Sequence, residues 1–152
     1  MKLLFGVDEG VCKWVSRQLF DTDSYFKNCA AIGIVEDDKF LCGVVYSNFL
    51  TRPDGDPFSI EASIASVDKR WAQKHTLRTI FAYPFLQLGV ERLQCTMSVE
   101  DTDVIEFNKR LGFTIEGIAR QAYPSGGDAV VSSMLKHECK WIKHGKKHSI
   151  AA

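Results

Sequence analysis

The chain has 152 residues, 45% of them hydrophobic and 25% charged, a make-up that excludes a disordered or fibrous chain and suits one domain with a real core. Nineteen basic residues balance nineteen acidic ones, so no overall field favours nucleic acid or an anionic membrane as partner. Five cysteines stand far apart at Cys12, Cys29, Cys42, Cys95 and Cys139 with no C-x-x-C pair, which argues against a disulfide framework or a zinc site and for a cytoplasmic setting.

The opening run, Met1–Val7, reads as a strand and is too short for a signal-peptide core or a membrane span. Asp8 offers an N-cap, and Val11, Trp14, Val15 and Leu19 follow at helical spacing to about Phe20. Asp21–Asn28 is polar and reads as a loop. Two apolar runs, Ala30–Val35 and Phe40–Phe49, flank the short polar Glu36–Lys39 and predict an antiparallel hairpin. Gly33 and Gly43 within it suggest bulges or close backbone approach. Leu50–Pro57 is a loop. Ser59–Val67 alternates, with Ile60, Ala62, Ile64 and Ser66 on one face and Ser59, Glu61, Ser63, Ala65 and Val67 on the other. Leu77, Ile80, Phe81, Phe85 and Leu88 then predict an amphipathic helix over Thr76–Leu88, capped by Thr76, disturbed at Pro84 and ended by Gly89. Arg92–Val99 is a strand. Asp101 or Thr102 caps a helix carrying Val104, Phe107, Asn108 and Leu111 on one side and ended by Gly112. Phe113–Ala122 and Ala129–His137 are strands joined by the turn Tyr123–Asp128. The order β-α-β-β-β-α-β-α-β-β predicts an α/β chain with a mixed, twisted sheet of six or seven strands and helices on both faces. We place one domain at 1–141 and a basic, flexible tail at 142–152.

Two features of the junction between Ser59–Val67 and the following helix concern function. A helix that starts after a strand presents unpaired N–H groups and a positive dipole end to an anion. Lys69, Arg70, Lys74 and Arg78 cluster there, where the dipole alone disfavours them. An awaited phosphate and an ordinary basic surface loop both fit. Glu61 is the one ionisable group in an apolar and small-residue strand. It is either a rim residue open to water or a general base facing a cleft.

The run EASIASVDKRWAQKHTL, from Glu61 to Leu77, resembles the central strand and pyrophosphate loop of the GNAT superfamily of acetyl-CoA-dependent N-acetyltransferases. DTDVIEFNKRLGFTIEG resembles that family's helix-plus-LGF segment, and GDAVVSSMLKHECKW the closing strand of its ribosomal-protein N-terminal acetyltransferase branch. The chain is also somewhat similar to members carried by phages. The resemblance is good over about residues 30–141 and looser before them. It implies acetyl-CoA as co-substrate, no metal, and a protein N-terminus, lysine or small-molecule amine as acceptor. A homodimer is a compatible assembly.

The resemblance also implies roles. Backbone amides of Ala65, Ser66 and Val67 would hold the acetyl and pantetheine groups. Those of Ala72, Gln73, Lys74, His75, Thr76 and Leu77 would cradle the pyrophosphate, with Arg78 adding charge. Ala72, His75 and Leu77 occupy the three signature positions of the family's loop, so both of its glycines are replaced. Glu61 would take the proton from the substrate ammonium. Asn108 stands where many members have the tyrosine that protonates the leaving thiolate. It can bond the sulfur or pantetheine but cannot act as an acid, and Tyr123 and Ser66 are the alternative donors. Asp101 falls where many members have an asparagine contacting CoA. An active N-acetyltransferase, a weakly active or inactive GNAT-fold accessory or virion-associated module, and an unrelated α/β phosphate binder are the three readings. Asp21–Asn28, Leu50–Phe58 and Tyr123–Asp128 would shape the acceptor pocket.

Overall fold

The alternating and helical patterns yield seven strands and three helices: β1 (Lys2–Leu4), α1 (Asp8–Phe20), β2 (Ala30–Glu36), β3 (Lys39–Thr51), β4 (Pro57–Ser66), α2 (Lys74–Ala82), β5 (Arg92–Ser98), α3 (Thr102–Leu111), β6 (Thr114–Ala119) and β7 (Ala129–Leu135). They are seen in a computed structural model that describes residues 1–26 and 29–144. All seven strands form one sheet in the order β1-β2-β3-β4-β5-β7-β6. β4 and β5 run parallel; the other neighbours are antiparallel. The expected mixed sheet is therefore present.

The predicted hairpin is β2–β3, turned by Asp37 and Asp38 at φ 51° and 61°. Gly33 and Gly43 face each other across it, and the close approach comes from α1. A Cβ on Gly43 would lie 2.6 Å from the Val15 Cγ2 methyl. That missing side chain lets Val11, Cys12 and Val15 settle on Ala31, Val45 and Ala65. The opposite sheet face buries Ile34, Val44, Tyr46, Ile60 and Leu93 against Leu77, Ile80, Phe81 and Phe85 of α2 and the turn after it. Side chains this size each contribute about 1.5–3 kcal/mol on full burial. Alternation along β4 decides which core each residue joins: Ile60 and Ala62 face α2, while Ala65 faces α1.

The local structure refines several of these expectations. Thr76 does not cap α2. The helix begins at Lys74 with Gln73 as N-cap, because the buried Thr76 hydroxyl reaches backwards. It accepts from the Gln73 N–H at 3.0 Å and engages the carbonyls of Gln73 and Trp71. The α-helix is shortened at Pro84, ending at Ala82, and the chain passes into one π-helical turn, Tyr83–Leu88, closed by Gly89 at φ 80°. The domain boundary drawn at 141 falls inside a docked turn. Trp141 donates its indole N–H to the Leu111 carbonyl at 2.8 Å, and Ile142 is buried in the core. The rest of the expected tail, residues 145–152, lies outside the described residues, as do residues 27 and 28 of the proposed acceptor loop. Among the described residues, no helix is long and apolar enough to cross a membrane.

Candidate active site

The site originates in a disagreement between neighbours. β4 and β5 pair over only four positions, from Ser59↔Arg92 to Ala62↔Cys95. Beyond Ala62, β4 keeps its register with β3 as far as Ser66. Beyond Cys95, β5 keeps its register with β7 as far as Ser98. Each strand follows its outer partner, so the sheet parts down the middle. The facing edges of residues 63–66 and 96–98 are left without ladder partners. Unpaired backbone groups of this kind are obligatory hydrogen-bonding sites.

A cleft of about 1280 Å³ fills the parting. Its walls include residues 63–67, residues 95–98, the end of α1, and the α3 face bearing Asp101, Val104 and Asn108. Tyr123 enters from the β6–β7 turn, which is held rigid by Tyr123 N–H on the Gly127 carbonyl (3.2 Å) and Gly126 N–H on the Tyr123 carbonyl (2.8 Å). Burial raises the Tyr123 phenol above its ordinary value of 10.0, with the neighbouring Cys95 adding to the effect and a hydrogen bond from Thr96 opposing it. Burial likewise pushes the Cys95 thiol up to about 12.

Asn108 is the most informative polar group in the wall. Its side chain is only 4% exposed, and its Oδ1 has no hydrogen-bond partner among the described residues. A buried acceptor left unmade costs about 1–3 kcal/mol. It lines the cleft, so a ligand N–H, O–H or S–H would satisfy it.

The remaining expected residues distribute unevenly. Ala65, Ser66, Val67, Ala72 and Asp101 line the cleft with Asn108. The Val67 amide, however, is already bonded to the Leu41 carbonyl at 2.9 Å. Gln73, Lys74, His75 and Arg78 are exposed beyond the cleft wall, and Thr76 and Leu77 are buried in the core. Much of the loop bonds to itself: Ala72 N–H to the Lys69 carbonyl, Gln73 N–H to the Trp71 carbonyl, and Leu77 N–H to the Gln73 carbonyl. The amides of Lys74 and His75, in the first turn of α2, have no partner among the described residues. Of the basic cluster, Arg70 is held by Asp68 and by Glu36, each at 2.8 Å. That pairing keeps the Asp68 carboxyl below its ordinary range. Lys69 lines the cleft.

Glu61 sits just below the vertex, on the face shared with Ser63, half-buried and outside the cleft wall. Its Oε1 accepts from Gln94 Nε2 at 3.2 Å. Sequence reasoning missed Arg92, Gln94 and Thr96. Their signal was a clean alternation with buried Leu93, Cys95 and Met97, but it points to Glu61 only once the register of β4 on β5 is known. The end of α1 carried no motif at all. No cluster of His, Cys, Asp or Glu placed to hold a metal occurs among the described residues.

A parted parallel pair at the centre of a mixed sheet, flanked by three helices, is the architecture of the acyl-CoA N-acyltransferases. The chain has the fold of the GNAT acetyltransferases. It resembles a GNAT-family acetyltransferase from Streptococcus pneumoniae at a TM-score of 0.63 and 14% identity, with 88% of this chain and 98% of that one covered. It resembles the ribosomal-protein-S5-alanine acetyltransferase of Vibrio fischeri at 0.59 and 16%, over 74% of this chain and 64% of that one. It spans still less, 54%, of Mycobacterium smegmatis RimJ in complex with CoA-disulfide, at 0.57 and 15% identity with 72% of this chain covered. No protein-family model matches the sequence, and no curated protein matches it. The likeness is one of fold.

Proposed function

We propose that this chain is an acetyl-CoA-dependent N-acetyltransferase that acts on a primary amine by direct attack in a ternary complex. The observation that carries the reading is the parting of β4 and β5 after Ala62 and Cys95, which opens unpaired backbone onto a cleft of about 1280 Å³. A pantetheine arm is a string of amides and suits such an edge. The orphaned Asn108 Oδ1 suits one of its N–H groups or the thiol.

The chemistry follows from position. Glu61 takes a proton from the substrate ammonium, through water given its place below the cleft wall. The free amine attacks the thioester carbonyl carbon. An unpaired N–H of residues 63–66 stabilises the oxyanion. The C–S bond then breaks, and the thiolate takes its proton from Tyr123, whose half-buried phenol, raised above its ordinary value of 10.0, stays protonated at neutral pH. Holding amine and thioester together supplies much of the acceleration. The acceptor is a protein N-terminus, a lysine or a small-molecule amine.

Calorimetry with acetyl-CoA tests the reading: saturable heat is expected, and no heat at millimolar ligand would overturn it. A second reading, a weakly active or inactive accessory module, is favoured by the self-bonded loop and by the engagement of Arg70 with Asp68 and Glu36. Binding without turnover on any amine would favour it.

A further inference from the structure

The face of the sheet on which Glu61 lies carries a line of polar side chains that the cleft does not use. Gln94 is the register partner of Glu61 across β4 and β5. Its Nε2 donates to Glu61 Oε1 at 3.2 Å, and its Oε1 accepts from Arg92 Nη2 at 2.8 Å. Arg92 is in turn clamped by Glu116, with Nη2 to Oε1 at 2.6 Å and Nη1 to Oε2 at 3.1 Å. Glu116 reaches this face because β6 bulges between Ile115 and Gly117. The pairing holds the Glu116 carboxyl below its ordinary range, with Ser133 adding a further hydrogen bond.

The order of partners fixes the polarity of the line. A guanidinium has donors only, so it must face the carbonyl oxygen of Gln94. That turns the Gln94 NH2 group towards Glu61 and excludes the flipped amide, which would set oxygen against carboxylate. One oxygen of Glu61 is thereby occupied, and the other is left for an incoming group. The charged and titratable neighbours that act on Glu61 or feel it are Arg92 and the Cys95 thiol from β5, with Glu116 behind Arg92 from β6. Its register partner on β3, Ser47, carries no charge.

We infer that Gln94, locked by Arg92 and Glu116, is the positioning residue for Glu61, fixing its carboxyl so that Oε2 is left for the water that relays the acceptor's proton. The inference rests on the reading of Glu61 as the base. It assigns to Arg92 and Glu116 a part in orienting that base, a role no single segment of sequence displays.

The test is a 13C NMR titration of full-length protein labelled at the glutamate carboxyls, with the Glu61 signal assigned from Glu61→Gln. Gln94→Leu removes the donor, so the Glu61 midpoint is expected to rise measurably. Arg92→Met frees the amide to flip and is expected to give part of that rise. Arg92→Lys keeps a donor on the Gln94 carbonyl and is expected to restore the wild-type midpoint. With acetyl-CoA as donor and spermidine as acceptor probe, Gln94→Leu is expected to lower kcat about tenfold at unchanged KM for acetyl-CoA. Superimposable titrations for wild type and both Gln94→Leu and Arg92→Met would overturn the inference; if either variant fails to fold, the other decides. Superimposable curves alongside normal acetyl-CoA heat would remove the positioning role and leave the enzyme reading standing. Shifted midpoints without acetyl-CoA heat would remove the enzyme reading, leaving the Gln94–Glu61 contact established but with no base for it to position.

Discussion

The two sides of the cleft are built to different standards. At the strand side, β4 and β5 part with their backbone edges open, a buried Asn108 acceptor waits without a partner, and Tyr123 stands on a rigid turn. At the helix side, the amides of Ala72, Gln73 and Leu77 turn back onto carbonyls of the same segment, Thr76 ties the loop to Trp71, and Arg70 is bound to two carboxylates. The first region is organised for a ligand and the second for itself. An amide-bearing, thioester-bearing arm matches the strand side. A diphosphate at the helix side is left with the Lys74 and His75 amides and with exposed charge. Under the proposed function, the contrast would mean that a reacting end can stay prepared while an anion grip loosens, because the two depend on different residues.

Substitutions can break or sharpen that contrast. The largest effect is expected at the strand side: Glu61→Gln lowers kcat about 100-fold, measured with acetyl-CoA and an amine probe, and an undiminished rate would remove Glu61 as the base. Next comes Tyr123→Phe. Burial holds this phenol above its ordinary value of 10.0, so the acid form persists through neutral and mildly alkaline solution. The expected loss in kcat is about tenfold and flat between about pH 6 and 9; a loss confined to one limb of the profile would point to another group.

Asn108→Leu separates ligand from fold. Removing an unpaired buried acceptor is expected to stabilise the protein by about 1 kcal/mol in urea unfolding while weakening acetyl-CoA about tenfold by calorimetry. A destabilised variant with unchanged affinity would show that Asn108 serves packing instead. The smallest effects belong to the helix side. Lys74→Glu and Arg78→Glu are expected to weaken acetyl-CoA only a few-fold each, fading as salt is raised, because both charges are exposed. A hundredfold loss at either would erase the contrast and show that the loop grips phosphate after all.

Much of the fold was legible without coordinates. The period of two in β4 and β5, the helical spacing of α1 and α3, the turn residues at 123–128 and the glycines closing the π-helical turn after α2 and the end of α3 are local signals, and they gave the element order. Gly33 and Gly43 announced a close approach. Thr76 misled because a threonine at the third helical position can imitate a cap by reaching back. Pro84 announced the shortening of the α-helix, but not the π-helical turn that follows. Ile142 was assigned to a tail because nothing in a basic stretch says that one apolar side chain will dock.

The site divides along the same line. Residue type and spacing alone put Glu61 on a strand face, Asn108 on the inner side of a helix and Tyr123 in a turn. The sequence also determined that the helix after β4 would begin near a cluster of basic residues. Only the tertiary structure decided that β4 and β5 part beyond the Ala62–Cys95 pair, because the parting results from each strand keeping its register with its outer neighbour in the sheet. For the same reason only the tertiary structure turned Arg70 away to Glu36, left Asn108 Oδ1 unpaired, and joined Glu61 through Gln94 and Arg92 to Glu116. These are pairings across strands, and a hydrogen bond between residues 24 to 34 positions apart leaves no periodic trace in the chain.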